Sequence, residues 1–300
     1  MIKIGTRGSK LALWQANYFS TLLTDKGIDT EIKIIKTQGD LVSNLGFDKL
    51  EGKGFFTKEI EEALLNNDID VAVHSLKDLP TQSPDGLVIA GLSTRANPSD
   101  ALIIKKSSFA NTELFKLPEN AVVGTSSQRR KALVRHYRPD ITLVDIRGNV
   151  PTRIVKLRKD ENLDAIILAR AGLDRTGVDL ADFEVLTLNP REFVPAPGQG
   201  IIAFQTRAEN IELRKKLASL TDKGLIESSN VERKILKLMG GGCHMPLGAY
   251  CTRDQNGYLH VWACFAEHWK KPLDFVQYSS ATAHELAETI VKQLKYDTTV

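Results

Sequence analysis

Along its first two-thirds the chain switches between two hydrophobic periods. Residues 2–5, 30–36 (TEIKIIK) and 69–74 (IDVAVH) are apolar in a run or at every second position and read as strands. Residues 11–26 place apolar side chains at helical spacing and stop at Gly27, a good C-cap. Residues 57–66 form a second amphipathic segment, with Thr57 as its expected N-cap and Glu61 and Glu62 on its wet side. Strands alternating with helices predict an α/β domain with a largely parallel sheet.

The alternation resumes after 94–98 (TRANP), an expected crossover. Strands are predicted over 101–105, 121–124, 142–146 and 165–169, and helices over 128–135 and 151–159, the second with Pro151 in its first turn. Residues 192–208, which hold Pro195-Ala196-Pro197-Gly198-Gln199-Gly200, read as a return crossing. From about 213 the pattern changes to a helix over 227–239, antiparallel strands over 247–252, 258–266 and 274–280, and a closing helix over 283–294. The expected fold class is α/β, with two hinged domains, 1–95 plus 192–212 and 96–191, and a small C-terminal α+β domain, 213–300. Two lobes joined by two crossings describe a ligand-closing protein.

Composition narrows the class. In 300 residues, 42% hydrophobic and 26% charged content are ordinary for a globular protein. No stretch approaches the ~18 apolar residues of a membrane span. The N-terminus opens as a buried strand rather than a signal peptide. Three cysteines do not make a disulfide framework, so a cytoplasmic protein with reduced thiols is expected. Net charge is only +3, yet residues 124–175 hold nine arginines and three lysines against six acids, a local +6. Such a field points to an anionic partner. Arg135, Arg138 and Arg158 read as solvated helix faces. Nucleic acid is the rival partner, but the arginines fall at β-to-α turns and aromatics total only 7%, few for base stacking.

Sheets of this type bind ligands at the carboxyl ends of their strands. Five loops fall there: 5–9 (GTRGS), 74–80 (HSLKDLP), 124–130 (GTSSQRR), 146–153 (IRGNVPTR) and 169–175 (ARAGLDR). Helix N-termini beside arginine forks trap carboxylates or phosphates, because donor geometry and dipole act together. Several such loops suggest a ligand with several carboxylates. Asp78 is the exception among the cations. It reads either as a turn-forming or capping aspartate or as a carboxylate facing a cationic intermediate. His74, at the end of an apolar strand, reads as a packed histidine. The histidines and cysteines show no metal-ligand spacing, so no metal is expected.

Cys243 is the most unusual residue. It sits in Gly240-Gly241-Gly242-Cys243-His244-Met245-Pro246, where three glycines and a proline exclude regular structure. A thiol on a glycine loop is either an inert loop cysteine or a candidate for covalent chemistry. Cys251 and Cys264 lie in strand-like segments and read as structural.

These residues carry a resemblance. Residues 4–7 (IGTR) with 11–16 (LALWQA), 52–59 (GKGFFTKE), 72–78 (AVHSLKD), 123–127 (VGTSS) with Arg129 and Arg130, 147–150 (RGNV), 198–200 (GQG) and 241–243 (GGC) resemble the porphobilinogen deaminase (hydroxymethylbilane synthase) family. The resemblance runs from Ile4 to about Ala249 and weakens in the last fifty residues. It implies periplasmic-binding-protein-like lobes. It implies a transferase that joins four porphobilinogen molecules head to tail, with loss of ammonia, into hydroxymethylbilane. It implies a dipyrromethane cofactor on a thioether to Cys243, on which the oligopyrrole chain grows. Matched residue by residue, Asp78 is the catalytic carboxylate and also touches the cofactor. Lys77, Ser75, Thr125, Ser126, Ser127, Arg129, Arg130, Arg147 and Gly148 are cofactor-binding. Arg7, Arg147, Arg153 and Arg175 are substrate-binding. A monomer without nucleic-acid or membrane partners is expected. The chain departs from the family pattern at Gly240 and His244. A non-catalytic anion-binding module is the rival class, but it has no need of a glycine-presented thiol.

Overall fold

The computed structural model describes residues 1–37, 57–242 and 245–296. Cys243, His244 and the segment 52–56 of one family motif lie outside the described residues. The chain divides into two compact units, Met1–Ala96 with Gly200–Ile226, and Asn97–Gln199 with Glu227–Val300.

The first unit is built on β1 (Ile2–Thr6), α1 (Lys10–Thr24), β2 (Thr30–Ile34), α2 (Lys58–Leu65), β3 (Val71–Ser75), β4 (Leu87–Leu92), β10 (Ile202–Arg207) and α6 (Ile211–Ala218). Its five strands run in the order β2-β1-β3-β10-β4. β1 pairs in parallel with β2 and β3, whereas β10 is antiparallel to both β3 and β4. The sheet is therefore mixed, because the strand that returns from the crossing enters it from the opposite end. Apolar side chains of α1 and α6 close one face: Phe19 and Leu217 are fully buried, and Phe19 stacks on Phe204 at 4.1 Å between ring centroids.

The second unit repeats the plan with β5 (Asp100–Lys105), β6 (Val122–Gly124), α3 (Gln128–Tyr137), β7 (Thr142–Val144), α4 (Val150–Lys159), β8 (Ala165–Ala169), α5 (Arg170–Thr176) and β9 (Phe183–Thr187). The order is β7-β6-β8-β5-β9, again with the crossing strand, β5, antiparallel to its neighbours. Both sheets thus share one strand order, with the crossing strand next to the last. A third sheet, β11 (Leu247–Arg253), β12 (Leu259–Phe265) and β13 (Asp274–Ser280), is an antiparallel meander. One of its faces is covered by α7 (Lys223–Leu238) and α8 (Leu286–Tyr296) through Val231, Ile235, Ile290 and Leu294. Trp262 and Cys264 join the core of the second α/β sheet.

Some local expectations change. Residues 213–226, read with the C-terminal part, group with the first unit because Leu213 and Leu217 bury in its core. Thr57 makes no capping bond; its hydroxyl donates to Glu61 Oε2 at 3.3 Å. Glu61 is buried rather than wet, since Gln205 Nε2 on β10 reaches its carboxylate at 3.1 Å. Arg138 is also buried: it donates to the carbonyls of Leu114, Leu117 and Pro118 and pairs with Asp140. No helix among the described residues is long and apolar enough to cross a membrane.

Candidate functional site

The parallel strands of each sheet end at the loops that hold the candidate residues. In the first unit, β1 ends at Thr6, and Ser9 caps α1 by accepting from the Ala12 N–H at 3.3 Å. Arg7, half-buried, lies in the turn between them. β3 ends at Ser75, whose hydroxyl accepts from Gln15 Nε2 of α1 at 2.9 Å. A single 3-10 turn, Leu76–Asp78, follows and is closed by Leu79 N–H donating to Leu76 O at 3.2 Å. Leu76 and Leu79 are buried and pin this turn to the core. Lys77 is half-buried and Asp78 is exposed. Among the described residues no hydrogen bond or ion pair engages the Asp78 carboxylate, and the backbone, not Asp78, closes the turn.

His74 is packed, as its place in an apolar strand suggests. It is buried, and its Nε2 lies 3.1 Å from Gln205 Oε1. Burial, aided by the nearby Arg7 charge and opposed by the Gln205 bond, pushes its pKa down to about 4. The folded protein therefore resists protonating His74, whereas the unfolded chain binds that proton near pH 6.5. Stability is fully present above pH 6.5 and is lost as the pH falls towards 4, by about 3 kcal/mol for this group. Urea unfolding at pH 7.5, 5.5 and 4.5 should show this fall in the native protein and a flatter profile in His74→Asn. An identical pH slope in the variant would refute the assignment.

In the second unit the 124–130 loop is shaped by its own hydroxyls. Thr125 Oγ1 accepts from Ser127 N–H at 3.3 Å, Ser126 Oγ donates to Ile146 O at 2.9 Å, and Ser127 caps α3 by accepting from Arg130 N–H at 3.4 Å. This cap aims Arg129 and Arg130 inward, where both are buried. They meet Asp100, the first residue of β5, which is completely buried. Arg129 Nη1 donates to Asp100 Oδ2 at 2.8 Å and to Val194 O at 2.8 Å. Arg130 Nη2 donates to Asp100 Oδ1 at 2.7 Å and Nη1 to Ile167 O at 2.9 Å. Burial alone would raise the Asp100 carboxyl, but the two guanidinium groups hold it well below the usual carboxylate range. Gln199 Nε2 adds a third donor, 2.9 Å from Asp100 Oδ1.

The 146–153 turn is tight. Gly148 has φ +114°, and a Cβ there would stand 2.7 Å from Thr152 Cγ2. Asn149 caps α4, accepting from Thr152 N–H at 3.0 Å. Arg153 folds back to donate from Nε to Gly148 O at 2.7 Å. Its guanidinium is desolvated and stands near Arg130, and these two effects, burial first, lower its pKa to about 10. Arg147 is half-buried beside this turn and Arg175 is buried at the end of α5. The structure thus joins Arg129 and Arg130 through Asp100 and brings Arg153 near Arg130. Arg7, Ser75, Lys77 and Asp78 belong to the first unit.

Sequence reasoning missed Asp100. It gave Gln199 no role and passed over Glu232, a fully buried carboxylate on α7. The available signal was an acid opening the apolar run 101–104, in a chain segment otherwise rich in arginine.

The donor set fits a ligand with several carboxylates. Among the described residues Asp100 is the one carboxylate paired with the buried Arg129 and Arg130, the Arg130 Nε is buried without a hydrogen-bond partner, and Arg153 adds a further desolvated cation. A dipyrromethane, with an acetate and a propionate on each ring, carries acceptors of this kind. The cysteine loop is described on either side of Cys243. α7 ends in a Schellman arrangement, with Gly241 N–H donating to Leu236 O at 2.8 Å and Gly240 N–H to Lys237 O at 3.1 Å. Gly240, at φ +100°, occupies the left-handed position of that cap, which gives this departure from the family pattern a local reason.

The chain is similar to known proteins. The family model described as porphobilinogen deaminase, dipyromethane cofactor binding domain, matches residues 2–215. A porphobilinogen deaminase of Syntrophomonas wolfei is 43% identical over 264 residues, covering 87% of this chain and 83% of the relative. One from Clostridium novyi is 38% identical over 98% of this chain and 99% of its own length. Among solved structures, a periplasmic substrate-binding protein of an ABC transporter from Coxiella burnetii is similar at a TM-score of 0.44 and 14% identity, covering 78% of this chain and 97% of that one. On the family match and on identity over nearly the whole length, this chain belongs to the porphobilinogen deaminase family.

Proposed function

We propose that Asp78 is the catalytic carboxylate and Cys243 the covalent anchor of an enzyme that polymerises porphobilinogen. The chain is a transferase of tetrapyrrole biosynthesis: it joins four porphobilinogen molecules head to tail, with loss of ammonia, into hydroxymethylbilane on a dipyrromethane cofactor. The observation that carries the reading is the match to the cofactor-binding domain over residues that hold two buried arginines against one buried aspartate. When bound, the dipyrromethane supplies a free pyrrole α-carbon to which the first substrate unit is joined.

The roles of the side chains follow from their chemistry. Arg130, Arg147, Arg153 and Arg175, with Arg7, Lys77, Ser75, Ser126 and Ser127, hold acetate and propionate groups. Arg129 and the buried Thr125 keep that donor set in shape, and Gly148 gives the Arg147 turn its backbone. Loss of ammonia from the aminomethyl group of porphobilinogen leaves an azafulvenium cation. Asp78, exposed and unengaged, accepts the pyrrole N–H and stabilises that charge. Fixing both partners in register supplies a proximity term of up to ~7–11 kcal/mol. The same reading places the cofactor cysteine on a third domain built on β11–β13. It has the chain act as a cytoplasmic monomer without nucleic-acid or membrane partners, the monomer being checked by light scattering.

The test is the intact mass of the purified protein against the mass calculated for 300 residues, with peptide mapping of any adduct. An excess of two deaminated porphobilinogen units on Cys243 is expected. If no adduct formed even after incubation with porphobilinogen, a non-catalytic anion-binding module would become the better account.

A further inference from the structure

We propose that the return segment 194–199 is a positioning element that sets the arginine site in register with the cysteine loop, with Gln199 and Glu232 as its working side chains. The proposal rests on the roles given above to Cys243 and the arginines. On one side the segment grips the arginine site. Val194 O accepts from Arg129 Nη1 at 2.8 Å, and Gln199 Nε2 donates to Asp100 Oδ1 at 2.9 Å and to Pro98 O at 2.7 Å. On the other side it grips the elements that flank Cys243. Pro195 O accepts from Ala249 N–H of β11 at 3.0 Å, and Gly198 N–H donates to Glu232 Oε2 of α7 at 2.7 Å. The second oxygen of Glu232 accepts from Cys251 N–H of β11 at 2.8 Å, so one carboxylate ties α7, β11 and the segment together.

There is little slack in this arrangement. Val194, Gln199 and Glu232 are fully buried. A Cβ at Gly248 would lie 2.8 Å from Val194 O and 2.8 Å from Cys264 Sγ, so β11 passes as close to the segment as glycine permits. α7 ends at the glycine loop and β11 begins just after it. Six residues therefore connect both flanks of the anchoring loop to Asp100, and through Asp100 to Arg129 and Arg130. A ligand fixed covalently at one end and by its carboxylates at the other binds well only when these two attachments are correctly spaced. Gln199 also holds Asp100 from outside the arginine pair. Without it, the carboxylate is oriented by the arginines alone, and the direction of Arg130 is no longer set independently of the ligand.

The experiment compares Gln199→Leu, Glu232→Gln, Arg130→Leu and the Gln199→Leu/Arg130→Leu double variant with the native protein. Adduct on Cys243 is read by intact mass, KM and kcat for porphobilinogen are expressed per adduct-bearing molecule, and Tm is recorded. A positioning role predicts that Gln199→Leu raises KM roughly 10-fold with kcat changed less than about 3-fold, and that the double variant is no worse than Arg130→Leu alone. Glu232→Gln, which keeps one acceptor and disturbs one bond, should raise KM roughly 3-fold and keeps the test open if Gln199→Leu does not fold. Unchanged KM in the folded variants, with only Tm lowered, would overturn the proposal. Native protein without any adduct on Cys243 would instead remove the reading on which the proposal stands.

Discussion

Asp78→Asn is expected to fold normally and to elongate porphobilinogen roughly 100- to 1,000-fold more slowly than the native enzyme. The fold should tolerate the change because the side chain carries no structural bond: the turn is closed by Leu79 N–H and Leu76 O and pinned by two buried leucines. A surface change of this kind costs less than about 0.5 kcal/mol. The chemistry should not tolerate it. Asparagine keeps the shape and the acceptor oxygen but removes the negative charge, and the charge is what opposes a developing cation. Single-turnover measurements on adduct-bearing protein separate this step from cofactor assembly. Near-native turnover in Asp78→Asn, with a native Tm, would exclude the role.

The local shape of the candidate loops was legible in the sequence because their parts are local. A cation pair in the first turn of α3, a glycine–asparagine turn before α4 and a Ser75–Asp78 strand end are each formed by neighbours in the chain. What was not legible depends on partners far apart in sequence. Arg129 and Arg130 read as free donors until β5 brings Asp100 between them. Glu61 reads as wet on an amphipathic helix, and only β10 supplies Gln205 to bury it. β10 itself was passed over as part of a crossing, because its last three residues, Gln205, Thr206 and Arg207, are polar. All three are buried, and their bonds run to Glu61, His74, Asp70 O, Leu64 O and Ile69 O. The antiparallel direction of β5 and β10 is likewise set by where the chain crosses between units, which no local period encodes.

Arg129→Leu and Arg147→Leu both remove one guanidinium from the site, yet they should fail in different ways. Arg129 is buried against a fully buried carboxylate, and its Nη1 also satisfies Val194 O. Leucine there leaves Asp100 with Arg130 and Gln199 as its partners and strands a backbone carbonyl. Breaking a buried pair from one side costs about 3–5 kcal/mol. At about 2–4 °C per kcal/mol for larger domains, that lowers Tm by on the order of 10 °C. The damage to cofactor assembly is then a consequence of a disordered Asp100 and a misdirected Arg130. Arg147 is half-buried in a turn whose shape is set by Gly148, Asn149 and Thr152. Its loss should leave Tm within about 2 °C, while one charge-assisted bond to a carboxylate, about 1.5–3 kcal/mol, disappears and KM for porphobilinogen rises roughly 10- to 100-fold. Calorimetry and steady-state kinetics on the two variants test the distinction directly. A stable Arg129→Leu protein with a raised KM would mean that Arg129 serves the ligand first and Asp100 second. The opposite assignment would then hold for the pair, with Asp100 acting only to neutralise Arg130.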